Sequence, residues 1–408
     1  MGHVSAAPHS IISSLATALR TPQASLPLVG LRPGRLMDAA ATAALLPIGA
    51  AYIGAPDDLL NTDGVGSKPN GFPSVFNPAT RTAGGDRHVV QPDISGKTLK
   101  KEPFGIYYEV HGTGPIKIVF IMGLANSCAG WLPQIDHFSN PKNGNTEKYS
   151  TLVYDNRGYG CSEVPSGRYR TSDMGHDLLS LLKELKWTEK PRAVHLVGVS
   201  MGGMITLELA KIAPELWGSI TLVSTTSGQG IGEKALAVGL PPIRGISVIA
   251  QVVGTAMFGI GDEKSRINNV LELLFPDSWL SEVNPDDPQG RTRREVLFAV
   301  FAWRFQFSRR APPQGILSQI AAVVSHRVTN GQLAKINIGI PAISIVTGDV
   351  DHLVNPGNSV HLAKNMPKAR LVQMKETGHA LPMQRTEELN ALIEETIRAG
   401  MERSGVQA

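Results

Sequence analysis

The stretch Ala193-Val194-His195-Leu196-Val197-Gly198-Val199-Ser200-Met201-Gly202-Gly203 decides the fold. Ala193 to Val199 is a short apolar run of strand character, and from Met201 to Ile212 a helical pattern runs until Pro214 stops it. A strand therefore enters, and a helix leaves, a G-x-S-x-G turn with Ser200 at its centre. So tight a turn strains the serine's backbone and crowds its neighbours, and Gly198, Gly202 and Gly203 supply the missing room. The helix that follows aims unpaired N–H groups and a partial positive charge back at the turn, which favours an anionic oxygen there. In this setting the motif reads as a nucleophile rather than a tight turn alone.

A serine hydroxyl needs a base within hydrogen-bond reach. His379, in Glu376-Thr377-Gly378-His379-Ala380, lies between the last strand and the last helix, at the carboxyl end of the sheet like Ser200. His195 falls inside the strand before Ser200 and reads as a core histidine, and His352 and His361 are weaker competitors. The base in turn needs a buried carboxylate to set its tautomer. The strand Ala342 to Thr347 ends in Gly348-Asp349-Val350-Asp351-His352, and Asp351, three residues past the glycine, is favoured over Asp349. The backbone amides of Leu124, after the strand Ile116 to Met122, and of Met201 are the expected oxyanion donors.

Outward from this centre the chain alternates strands and helices. Ile106 to Val110, Ile116 to Met122, Thr151 to Tyr154, Ile220 to Val223, Ala342 to Val346 and Leu371 to Met374 read as strands. Met174, Leu178, Leu181, Leu182 and Leu185 mark a helix, and the last helix spans about Thr386 to Ile397. The βαβα order predicts an α/β fold, a mostly parallel sheet with helices on both faces. Between Thr225 and Ile336 the alternation breaks into apolar and aromatic segments that include Phe275, Trp279, Phe298, Phe301, Trp303, Phe305 and Phe307. An inserted helical cap over residues 226–335 accounts for them, although aromatics at helical spacing also pack cores. Core segments at 101–225 and 336–402 flank it, with a short tail at 403–408.

Residues 1–100 read as an N-terminal extension. Before Asp38 there is no acidic residue, while Arg20, Arg32 and Arg35 stand among serines and alanines. That is the composition of an organelle transit peptide and predicts mitochondrial import; a disordered extension in a cytoplasmic protein has the same bias. Ala39 to Pro56 is uncharged but Ala- and Gly-rich and broken by Pro47, so it reads as a short helix or hairpin rather than a membrane span. Asn61 to Gly85 collects Gly, Pro, Asn and Ser and reads as a linker, which puts the start of the fold near Lys101.

The 408 residues are 42% hydrophobic and 18% charged, with a formal net charge of +4. No like-charge block suggests nucleic acid or an anionic membrane as a partner. The two cysteines, Cys128 and Cys161, are too few for a disulfide scaffold, lack metal-site spacing and read as buried free thiols. Nothing in the sequence calls for a metal or a cofactor.

Four segments, Met122 to Trp131, Asp155 to Ser162, Gly198 to Gly203 and Gly348 to His379, together resemble the α/β-hydrolase superfamily, and within it the esterases, enol-lactonases and carbon–carbon bond hydrolases. The resemblance covers about residues 101 to 400 and implies the α/β-hydrolase fold, with Ser, Asp and His in that chain order. It implies that Asp155, Arg157 and Gly158 form a structural turn beside the site. Many relatives begin the oxyanion loop with His-Gly, where this chain has Met122-Gly123. A serine at position 200 sets it apart from relatives with an aspartate nucleophile. The expected activity is hydrolysis of a carboxylic ester, or related acyl bond, of a small apolar molecule. Carbon–carbon bond hydrolysis or perhydrolysis on the same triad, and a ligand-binding receptor on a hydrolase scaffold, are the alternatives.

Overall fold

In a computed structural model of the chain, the structure describes residues 76–91, 102–228, 263–287, 289–307 and 312–406. The transit-peptide reading, the Ala39 to Pro56 segment and most of the linker lie outside these residues.

Eight strands form one sheet: β1 (Arg81–Val90), β2 (Phe104–His111), β3 (Ile116–Ile121), β4 (Tyr149–Tyr154), β5 (Val194–Val199), β6 (Trp217–Val223), β7 (Ala342–Gly348) and β8 (Arg370–Met374). Their order is β1-β2-β4-β3-β5-β6-β7-β8. The pairs β1/β2 and β2/β4 are antiparallel and all others parallel. The alternation of side chains along each strand builds two cores. From β3, Val119 and Ile121 face one side with Leu196, Ile220 and Ile345. Ile118 and Phe120 face the other with Val153, Val197 and Val346.

Helices cover both faces. On the first lie α3 (Thr171–Glu184), α4 (Met201–Ile212), α9 (Asn330–Gly339) and α10 (Gly357–Asn365), through residues such as Leu178, Leu182, Ile205, Leu333, Ile336 and Leu362. On the second lie α1 (Leu132–Phe138) and the last helix, α12 (Thr386–Ser404), through Ile135, Phe138, Leu389, Leu392 and Ile393. A short helix, α2 (Asn145–Lys148), precedes β4, and another, α11 (Leu381–Gln384), precedes α12. The described helices between β6 and β7 are α5 (Glu263–Leu274), α6 (Asp277–Ser281), α7 (Arg293–Phe307), α8 (Pro313–Ser325) and α9. Ile267, Leu271, Phe275, Leu280 and Leu297 of this insertion make a third, smaller core, against which Ala380 and Met383 pack.

Two boundaries differ from the sequence reading. β1 pairs with β2 upstream of Lys101, so the folded sheet begins before the expected start and takes in the end of the linker. β1 is a half-exposed edge strand broken by a register shift after Gly84, where Gly84 and Gly85 have φ of 81° and 88°. A glycine bulge in a polar edge strand has the composition of a loop. The other boundary, 335/336, cuts through α9, whose Leu333 and Ile336 belong to the sheet's own core. That helix is a layer of the main domain because its apolar residues, spaced i,i+3, share one face.

Candidate active site

The parallel strands end level with one another, and four loops leave from their carboxyl ends. β3 runs into Gly123, β5 into Ser200, β7 into Asp349 and Asp351, and β8 into the loop that carries His379. In open α/β sheets this edge is where ligands bind.

Ser200 has φ 55° and ψ −120°, outside the ordinary range for an L-residue. The surroundings hold it there. Its N–H donates to the Val223 carbonyl at 2.9 Å, and its carbonyl accepts from Thr225 Oγ1 at 2.7 Å and from the Gly203 N–H at 2.9 Å. The glycines do what the motif requires: a Cβ on Gly202 would lie 1.9 Å from the Ile121 carbonyl oxygen, and one on Gly203 would lie 2.5 Å from Thr225 Cβ. Across the site, a Cβ on Gly123 would stand 3.1 Å from Ser200 Cβ and 3.7 Å from its Oγ, so the loop that continues into Leu124 runs directly beside the serine. Met201 is the first residue of α4, where helix geometry leaves the amides without intrahelical partners.

Of the two aspartates, Asp351 reaches the histidine. Its Oδ2 lies 2.8 Å from His379 Nδ1, and its Oδ1 accepts the Leu353 and Val354 amides, each at 2.8 Å. Both side chains are buried. Asp349 is exposed and accepts a longer bond, 3.3 Å, from the Thr377 amide. Of the competing histidines, His195 and His361 lie on other elements. His195 is buried in β5 and bonded through Nδ1 to Ser219 Oγ at 2.9 Å; burial pushes its pKa down to about 4, so it is a neutral core residue. His361 is half-buried on α10, its pKa lowered by burial and then by the charge of Lys364. His352 is half-buried beside Asp351.

The Asp155–Ser162 turn is structural. Asp155 accepts the amides of Cys128 and Cys161, both at 2.7 Å, and so ties the segment after the Gly123 loop to its own turn. Burial raises its pKa, and these two amides oppose the rise. Arg157 forms a buried, two-pronged ion pair with Asp177 and lies over the rings of Phe104 and Tyr169. Asn156 donates to the Met122 carbonyl at 2.9 Å. The Met122-Gly123 start of the loop is thus anchored by its backbone. Cys128 is buried and its thiol pKa pushed well up by burial, whereas Cys161 is only half-buried, against the expectation for both.

Two glutamines that carried no signal in the sequence brace the site's loops. Gln384 accepts the Gly378 amide at 2.9 Å and donates to the Glu376 carbonyl at 2.8 Å, closing the His379 loop. Gln319, on α8, accepts the Ala125 amide at 3.0 Å and donates to the Arg157 carbonyl at 2.8 Å. The insertion is also fastened to the histidine loop, where the Ala380 amide donates to the Leu274 carbonyl at 3.0 Å. No group of three or more His, Cys, Asp or Glu side chains suited to a metal occurs among the described residues. No described helix is long and apolar enough to cross a membrane.

Comparison with known proteins adds the following. The sequence profile of the alpha/beta hydrolase family matches residues 110–392. The RutD protein of Stutzerimonas stutzeri (strain A1501), whose name describes a carbamate hydrolase, is 26% identical over 294 residues, 71% of this chain and 95% of its own length. The 3-oxoadipate enol-lactonase 2 of Acinetobacter baylyi is 31% identical over 166 residues, which is 40% of this chain and 58% of that protein. Among solved structures, a thermophilic esterase from Thermogutta terrifontis superposes with a TM-score of 0.56 at 18% identity, over 77% of this chain and 98% of the esterase.

Proposed function

Because the chain belongs to the alpha/beta hydrolase family, we propose that it is a serine hydrolase that cleaves a carboxylic ester, or a related acyl bond, of a small apolar molecule through an acyl-enzyme. Its relatives make it a hydrolase of the α/β fold. The serine mechanism is our reading of the site. The observation that carries this reading is the 2.8 Å bond between Asp351 and His379, on the sheet edge from which the strained Ser200 turn projects. The names of the two curated relatives describe a carbamate and an enol-lactone, both acyl compounds, which supports acyl transfer over other chemistries.

In this mechanism the Asp351 carboxylate keeps the proton of His379 on Nδ1 and leaves Nε2 as the base. His379 takes the Ser200 proton as Oγ attacks the substrate carbonyl. The amides of Leu124 and Met201 receive the oxyanion, and donors preset in this way contribute about 2.7–4 kcal/mol each to such a step. The leaving group departs with the histidine's proton. Water activated by the same imidazole then hydrolyses the ester on Ser200. In this reading the insertion supplies the apolar surroundings of the acyl group; the rings of its Phe275 and Trp279 stack on each other at 5.1 Å in the insertion's own core.

The test is labelling with a fluorophosphonate, which forms a covalent bond only with an activated serine. Stoichiometric labelling at Ser200, lost together with ester hydrolysis in Ser200→Ala, is the expected outcome. An unlabelled wild-type enzyme, or Ser200→Ala with a rate within tenfold of wild type, refutes the assignment.

A further inference from the structure

We propose that Gln319 is a positioning residue for the oxyanion hole: from helix α8 of the insertion it holds the Gly123–Ala125 loop in the geometry in which the Leu124 amide faces Ser200. The inference rests on the serine-hydrolase reading above and adds to it a residue outside the triad and the oxyanion donors.

Three observations carry it. Ala125 has φ 51°, a left-handed conformation that an alanine adopts only when its surroundings enforce it. The amide of this strained residue donates to Gln319 Oε1 at 3.0 Å. Gln319 has no exposed surface, and its Nε2 donates to the Arg157 carbonyl at 2.8 Å, so the side chain has one orientation that satisfies both ends. An amide side chain serves as donor and acceptor at once, and turning it over would set like against like at both contacts.

The far end of this clamp is rigid. Arg157 is locked by its buried ion pair with Asp177 and by the rings of Phe104 and Tyr169. One turn before Gln319, on the same face of α8, Gly315 packs backbone to backbone against Gly158: a Cβ there would lie 2.1 Å from the Gly158 carbonyl oxygen. Helix α8 is therefore pressed against the Asp155–Ser162 turn where Gln319 reaches across to Ala125. With Ala125 held, the preceding peptide, which carries the Leu124 amide, cannot rotate freely beside Ser200. A donor that is preset adds to transition-state binding and little to ground-state binding, so the effect belongs in kcat rather than KM.

The experiment compares wild type, Gln319→Met and Gln319→Glu on p-nitrophenyl butyrate, with active serines counted by fluorophosphonate titration and rates expressed per titrated serine. Methionine keeps the volume and loses both hydrogen bonds. Glutamate keeps the acceptor for Ala125 but sets a carboxylate against the Arg157 carbonyl, and it carries the test if the methionine variant fails to fold. Displacements of about 1 Å near reacting groups cost on the order of a hundredfold. We expect kcat per titrated serine to fall at least tenfold in either variant, with KM within threefold of wild type. A purely structural role would lower the number of titrated serines and leave the rate of each unchanged. That result, or a rate per serine within twofold of wild type in the folded variant, overturns the proposal. If wild type itself takes no label, the serine-hydrolase reading falls and the proposal with it; a labelled wild type with unaffected variants overturns the proposal alone.

Discussion

Asp351 and His379, 28 positions apart in sequence, meet through a 2.8 Å hydrogen bond between Oδ2 and Nδ1, while Asp351 Oδ1 is held by two backbone amides of its own loop. The carboxylate is thereby fixed in orientation before it orients the imidazole. Asp349, two residues earlier, points to the Thr377 amide instead.

If the proposed triad is right, this difference should separate the two aspartates kinetically. Asp351→Asn should reduce kcat on an activated ester by orders of magnitude, about 10⁴-fold by analogy with triads in which the orienting acid becomes an amide and the wrong tautomer results. Asp349→Asn removes a 3.3 Å contact to a loop amide and should stay within about threefold of wild type. Steady-state rates of the two variants decide it, and an inactive 349 variant beside a near-normal 351 variant would reverse the assignment.

Substrate length tests the apolar acyl site. Burying each added CH₂ is worth up to about 0.8 kcal/mol, roughly fourfold in kcat/KM when it is fully sequestered. Efficiency should rise from acetyl through butyryl to hexanoyl esters and level off once the site is full. A flat or falling series from acetyl upward counts against an apolar pocket and leaves the triad untouched.

The turn around Ser200 should tolerate no added bulk. Gly202→Ala places a methyl 1.9 Å from the Ile121 carbonyl oxygen, a backbone atom that can yield only by moving β3. Overpacking of this kind costs about 1–3 kcal/mol, and the shift should also lower kcat because Ser200 is two residues away. Gly331→Ala, in helix α9 with nothing within 4 Å of the new methyl, is the control and should be neutral or stabilising by about 0.5–1 kcal/mol. Urea unfolding of both variants checks the contrast, and equal midpoints would contradict it.

Acid should destabilise the protein partly through His195. Its folded pKa, about 4, lies below the ordinary 6.5 because burial disfavours the imidazolium. The unfolded chain therefore binds the proton first as pH falls: the penalty is absent above about pH 7.5 and grows through 6.5 toward 4. At pH 5 it amounts to about 2 kcal/mol. In His195→Gln, which keeps a partner for Ser219, the loss of stability between pH 7.5 and 5 should be smaller than in wild type by about this amount. Chemical denaturation at the two pH values measures it, and parallel losses in the two proteins would show that His195 carries no acid penalty.

What the sequence by itself determined were features that a few neighbouring residues impose. The run Val194–Val199 is apolar but for His195 because β5 is buried on both faces, and that is visible without knowing what covers it. Gly198, Gly202 and Gly203 mark the Ser200 turn because crowding there excludes any side chain, whatever the rest of the fold. The order of strands and helices follows from periodicity in the same way, and with it the α/β class.

Only the tertiary structure decided matters in which distant groups meet. Of two aspartates at one strand end, sequence position only favours Asp351; the loop is what places its carboxylate, and not that of Asp349, against His379. β1 was hidden because a polar, glycine-bearing edge strand is stabilised by its pairing with β2 rather than by its own apolar pattern. Helix α9 joined the sheet layer because of where Leu333 and Ile336 face, not because of their composition. Gln319 is the clearest case: one of two glutamines in a largely apolar helix, 194 positions from Ala125, it carries no local signature. A side-chain amide acquires its role only from the donor and acceptor that folding sets opposite it, and those two backbone groups belong to segments far from it in sequence.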